Sequence, residues 1–195
     1  MSNIKDTSPT TPTISNKVLE VFDIAVKHDF IHIREISRLV NIAPTTAGNI
    51  LKELEENNIL SKKVLGKNCF YSLNKNHKSR KLIAMAENYK FLKECRDERF
   101  SAMSEKLMDN IASIKSFIDS IIAYKENEKL SLLFITSLDH ETIKSRIMAA
   151  GITAERITVL TRENFKNNLE NEMIKNILKD HIMISGAENF VDLAY

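Results

Sequence analysis

A chain of 195 residues can bury one good core or two small ones, and 43% hydrophobic with 28% charged residues describes a globular protein. No run approaches the roughly 18 apolar residues of a membrane span, and the opening MSNIKDTSPTTPTIS lacks a leader's apolar stretch, so a cytoplasmic protein is expected. The formal net charge is +2, but residues 1–80 carry 12 Lys+Arg against 8 Asp+Glu while the other 115 carry 16 against 18.

Ser, Thr and Pro dominate residues 1–14, which predicts a flexible arm. From Ser15, placed to cap a helix, Val18, Leu19, Phe22, Ala25 and Val26 recur at helical spacing to Lys27. Phe30-Ile31-His32-Ile33 is a short β-type run. Arg34 to Val40 reads as a brief helix burying Ile36, Leu39 and Val40. Asn41-Ile42-Ala43 turns the chain, and a longer helix starts on Pro44 and ends near Asn57. Ile59 to Val64 and Cys69 to Leu73 are strand-like runs around the turn Leu65-Gly66-Lys67-Asn68. Residues 59–80 hold Lys62, Lys63, Lys67, Lys75, Lys78 and Arg80 and no acidic residue, a distribution that attracts polyanions.

No Gly or Pro interrupts residues 77–124. Leu82, Met85, Tyr89, Leu92, Met103, Leu107, Ile111, Ile114, Ile118 and Ile121 step by threes and fours, a coiled-coil-like seam. The prediction is a long helical dimerisation segment over 77–125, roughly 70 Å long if continuous. The charged stretch from Cys95 to Arg99 leaves open a break, or two helices folding back as a hairpin. After it, Leu130 to Thr136 reads as a buried strand and Asp139 to Ala150 as a helix closed by Gly151. Ile157 to Leu160 is a second strand, Thr161 caps a helix, and a further helix runs from Glu172 to Lys179. His181 to Ser185 is a strand, and Gly186 turns the chain into a terminal helix, Ala187 to Ala194. This alternation predicts a small α/β domain over 130–195, so the fold class expected of the whole is α+β.

Two helices joined by a tight turn, the second with proline at its first position, form a helix-turn-helix pattern within residues 15–76. Ala47, Ile50, Leu51 and Leu54 make one stripe of the second helix, which must face the core. Thr45, Thr46, Gly48, Asn49 and Lys52 lie off that stripe. Their small size near the helix N-terminus permits close approach, and the amide-rich end suits phosphate. In a major groove, Asn49 is the candidate reader of base edges, with Thr45 and Thr46 at phosphate or a thymine methyl. Lys62, Lys63, Lys67 and Asn68 on the following hairpin would meet the backbone or the minor groove.

REISRLVNIAPTTAGNILKELEENNIL followed by SKKVLGKNCFYSLN resembles the winged helix-turn-helix domain of archaeal and bacterial transcription regulators. The resemblance implies a DNA-binding regulator with double-stranded DNA as partner. Related recognition helices often carry Arg, Ser or Gln where Gly48 stands, which implies weak binding per module and a homodimer. ITVLTRENFKNNL and NEMIKNILKDHIMISGAENFVDLAY resemble the end of nucleotidyltransferase-like domains fused to such helices in archaea. That family holds triphosphate on a Gly-Ser turn and metal on paired aspartates of a Ser-Asp-x-Asp stretch. Here the corresponding stretch is NEKLSLLFI, without either aspartate, and the long helix before it leaves no room for a first strand. The expectation is an inactive relative: no enzyme, no cofactor, no metal site. A protein-interaction scaffold and a residual nucleotidyltransferase are the rival readings.

No other constellation restores catalysis. In Asp139-His140-Glu141, Asp139 suits an N-cap and Glu141 a first turn. His77 and His181 have no partner at ligand spacing, and Cys69 and Cys95 read as reduced thiols.

Overall fold

The computed structural model describes residues 14–195 as a mixed α and β protein, so the arm expected over 1–14 lies outside the described residues except for Ile14. The chain divides into two compact units, one ending at Asn74 and the other beginning at Lys75. No helix among the described residues is long and apolar enough to cross a membrane.

The first unit holds three helices and a small antiparallel sheet. Helix α1 (Asn16–Val26) starts where the Ser15 side chain accepts from the Val18 amide, and it buries Val18, Leu19, Val21, Phe22 and Ala25. Only Ile31–His32 of the predicted β run is a strand, β1, because His32 then becomes a cap. Its Nδ1 accepts from the Arg34 amide at 3.1 Å and starts α2 (Ile33–Val40). Leu39, expected in the core, is 48% exposed and Val40 is only half-buried: two turns of helix bury one narrow side, occupied by Ile36 and Ser37.

The turn after α2 is well determined. Asn41 sits in the left-handed region at φ 53°, the Ile42 amide donates to the Ser37 carbonyl at 3.0 Å, and the Ser37 hydroxyl donates to the Ile42 carbonyl at 2.6 Å. Helix α3 (Pro44–Glu56) then buries Ala47, Ile50, Leu51 and Leu54, the stripe read from the sequence. Strands β2 (Leu60–Leu65) and β3 (Asn68–Leu73) form a hairpin through Gly66 and Lys67, with Gly66 at φ +61°. The sheet order is β1-β3-β2, with Tyr71 of β3 buried opposite Ile31.

The long central helix is not there. Helix α4 (His77–Glu94) ends at Cys95, and Asp97 starts a new helix, α5 (Glu98–Ile111), by accepting from the Arg99 and Phe100 amides at 2.8 and 3.3 Å. A short 3-10 segment (Ala112–Phe117) follows, and the predicted seam then becomes strand β4 (Ile118–Glu126). Met85 and Leu92 are 44% and 66% exposed, so the seam is not continuous along α4 either. Residues 118–124 satisfy a spacing of three and four, but they are also rich in β-branched side chains. Pairing with strands on both sides decides between the two periods.

Strand β4 turns through Asn127 and Glu128, at φ 51° and 61°, into β5 (Lys129–Thr136). Both turn residues are left-handed, as a type I′ hairpin turn requires. The remaining elements follow the predicted order: α6 (His140–Ala149), β6 (Ile157–Leu160), α7 (Arg162–Asn167), α8 (Glu172–Lys179), β7 (His181–Ser185) and α9 (Ala187–Ala194). The sheet order is β6-β5-β4-β7, with β5 and β6 parallel and the other neighbours antiparallel. One face carries Ile121, Ala123, Leu132, Phe134 and Ile184 against Leu107 and Ile111 of α5 and Ile143 and Ile147 of α6. Helices α4, α7 and α9 also pack on the sheet, and the tilted rings of Phe165 and Phe190 meet at 6.0 Å between α7 and α9.

Candidate nucleic-acid interface

Helix α3 begins without a side-chain cap. Its N-cap is Ala43, and Pro44 has no amide to offer. The Thr45 and Thr46 amides therefore keep their donors, at the end of the helix where the partial positive charge lies. Thr45, Thr46, Asn49 and Lys52 are exposed. No protein hydrogen bond ties down the side chains of Thr45, Thr46 or Asn49 among the described residues. Lys52 reaches Glu56 at 3.4 Å, but both side chains are more than 60% exposed, so the pair holds Lys52 weakly.

Gly48 differs from the expectation. It is half-buried, and a Cβ there would point toward Ile33 of α2, touching its Cδ1 at 4.0 Å. Nothing in the fold requires glycine: the space is open and the backbone is helical. A helix-interior glycine costs about 1 kcal/mol relative to alanine. Gly48→Ala is expected to raise stability by about 0.5–1 kcal/mol in urea unfolding, while weakening duplex binding severalfold if the small residue serves close approach. Unchanged binding with raised stability would remove Gly48 from the interface.

On the hairpin, Lys62, Lys63, Lys67 and Asn68 are all exposed. Lys62 and Lys63 are consecutive on β2, opposite Tyr71 and Phe70, so their side chains leave opposite faces. Lys63 Nζ lies 5.7 Å from the centre of the Phe30 ring, an exposed cation–π contact. None of the three lysines meets a carboxylate among the described residues, so their charge is not neutralised within the fold. Strand β2 also packs on α3, which puts the hairpin strand and the helix in one body.

The second unit holds a polar cluster that sequence spacing did not reveal. Glu87 of α4 and His181 at the start of β7 are almost wholly buried. Glu87 Oε2 lies 3.3 Å from His181 Nε2 and 2.7 Å from Lys90 Nζ. His181 Nδ1 donates to the Leu178 carbonyl at 3.1 Å, and its ring meets Phe190 edge-on at 5.1 Å. Burial alone would raise the Glu87 carboxyl, but the His181 imidazole and the Lys90 ammonium outweigh it and hold the carboxyl below its ordinary value. The stability this contributes is complete above the ordinary carboxylate range and is lost as pH falls through the depressed folded value. Glu87→Gln should flatten that acid-side loss, measured as the urea midpoint between about pH 6 and pH 3. Parallel curves for the two proteins would show that Glu87 is not the group responsible.

Asp139 accepts from both the Thr142 amide and hydroxyl at 2.8 Å. These bonds lower its pKa and engage it as the cap of α6. His140 contacts the neighbouring Glu141 and the Ile157 carbonyl, each at 3.3 Å. The cysteines are free. Among the described residues no group of three or more His, Cys, Asp or Glu is placed to hold a metal ion. A cavity of about 660 Å³ is lined by Phe100, Met103, Leu130 and Ile182 with Asp97 and Asp180 among its charged residues, and among the described residues no serine, threonine or cysteine lines it. The expectation that no strand precedes β5 is corrected by β4, which reaches β5 through the two residues Asn127 and Glu128.

Comparison of the chain with protein-family models, with curated proteins and with solved structures gave no match.

Proposed function

We propose that the chain is a DNA-binding transcription regulator whose first unit is a winged helix-turn-helix. In this reading α2 and α3 are the helix-turn-helix, α3 is the recognition helix and the β2–β3 hairpin is the wing. The observation that carries it is the combination of an uncapped α3 N-terminus, bearing Thr45, Thr46 and Asn49, with a hairpin whose three lysines lack carboxylate partners among the described residues. Donors without partners at a positive helix end suit phosphate, and a short polar side chain on the next turn suits a base edge. Lysines on both faces of the hairpin suit a groove with phosphates on either side.

The second unit is proposed to mediate a further contact without chemistry of its own. Support comes from NEKLSLLFI, which lacks paired aspartates, and from the Asn127-Glu128 turn, which replaces any glycine-serine turn ahead of β5. The homodimer stays within the proposal, since two half-sites would compensate for weak modules. Its coiled-coil basis is gone, and size-exclusion light scattering tests it. The function itself is tested by titrating labelled duplex with the full chain across salt. Affinity that falls steeply with salt is expected. Absence of binding at low salt would favour a protein-interaction scaffold.

A further inference from the structure

We infer that the tip of the β2–β3 hairpin is an aliphatic wedge that opens a base step of duplex DNA and bends it, an inference that rests on the DNA-binding reading above. Val64 and Leu65 end β2 and are 61% and 53% exposed. Neither serves the core. They pair with Cys69 and Asn68, and only Gly66 and Lys67 lie beyond them. A Cβ at Gly66 would find no atom within 4 Å, so the end of the hairpin is slim and open.

The charges around this tip select its occupant. Lys62 and Lys63 stand behind the aliphatic pair on opposite faces, and Lys67 stands in the turn itself. A flat anionic surface would meet only one of those faces. A DNA groove has phosphates on both walls and base-pair edges on its floor, with the apolar base faces stacked between successive pairs. Lysines placed on both sides would hold the walls while Val64 and Leu65 reach the floor. Apolar side chains that enter there unstack adjacent base pairs and kink the duplex, and pyrimidine–purine steps open most readily.

The test uses the full chain and a duplex of about 30 base pairs with one central TA step, dyes at both ends and 2-aminopurine beside the step. At saturation the wild-type protein should raise energy transfer between the ends and brighten the 2-aminopurine. The variant Val64→Thr with Leu65→Thr places β-branched strand formers at both positions. It should bind within about threefold of wild type, leave the duplex nearly straight and leave the 2-aminopurine dim. Equal thermal unfolding of the two proteins shows that the fold is intact. A variant that bends the duplex as wild type does, or a wild type that binds without bending, overturns the wedge while leaving the DNA reading in place. A wild type that binds no duplex at low salt overturns both. If that protein instead binds phosphatidylserine vesicles through Val64 and Leu65, the tip is a lipid contact.

Discussion

Gly186→Ala is expected to destabilise the second unit by about 3 kcal/mol or more, the largest effect of any glycine substitution in the chain. Gly186 joins β7 to α9 at φ +77°, and a Cβ there would lie 1.9 Å from the Asp119 carbonyl oxygen and 2.9 Å from the Ser120 Cα. These are backbone atoms of β4, held in place by several bonds. The Ser120 hydroxyl donates to the Gly186 carbonyl at 2.9 Å, the Asn189 side-chain Nδ2 donates to the Asp119 carbonyl at 3.1 Å, and Arg162 grips the Asp119 carboxylate through two bonds of 2.7 and 2.6 Å. No side-chain rotation relieves the clash, so either β4 or the start of α9 must shift. Gly151 is the control: at φ +65° it has nothing within 4 Å, and alanine there should cost only about 1 kcal/mol. Urea unfolding of the two variants reads the difference. Equal losses would mean that Gly186 is needed only for its dihedral angles.

Replacing Lys62, Lys63 and Lys67 together by alanine should weaken duplex binding by about ten- to a hundredfold at low salt and lower the slope of log K against log salt by about 2–3. Each lysine that neutralises a phosphate releases counterion, so its loss appears in the slope as well as the affinity. Net charge alone would give a similar fall wherever the lysines stood. Lys115, Lys144 and Lys166 provide the comparison, since they are exposed and lie in the second unit. The same triple change at those positions should leave the slope within about 1 of wild type. If both triple variants behave alike, the hairpin is not a specific contact. All six residues are at the surface, so unfolding is not expected to confuse the result.

Much of the fold is legible in local chemistry. Ser15, Asp139 and Thr161 each cap the helix they precede, and Pro44 opens α3 with its apolar stripe inward. These features depend on a few neighbouring residues, and the hairpin at Gly66 does as well. What local chemistry misses is non-local. Ile118, Ile121 and Ile122 fit a helix by spacing, and only their partners on β5 and β7 make them a strand. Leu39 reads as core because a short helix does not show which side it turns inward. Of the candidate interface, the exposure of Thr45, Thr46, Asn49 and the hairpin lysines is legible. The direction of Gly48 is not, because it depends on Ile33 of α2. Glu87 and His181 lie far apart in sequence, and no motif links them.

The first unit is proposed to hold duplex DNA through the open end of α3 and the lysine-bearing hairpin. Fluorescence anisotropy of a labelled duplex, titrated with the full chain between about 50 and 200 mM salt, tests it most directly. Saturable binding that weakens steeply and log-linearly as salt rises is expected. An anisotropy that stays flat to high protein concentration at the lowest salt would contradict it.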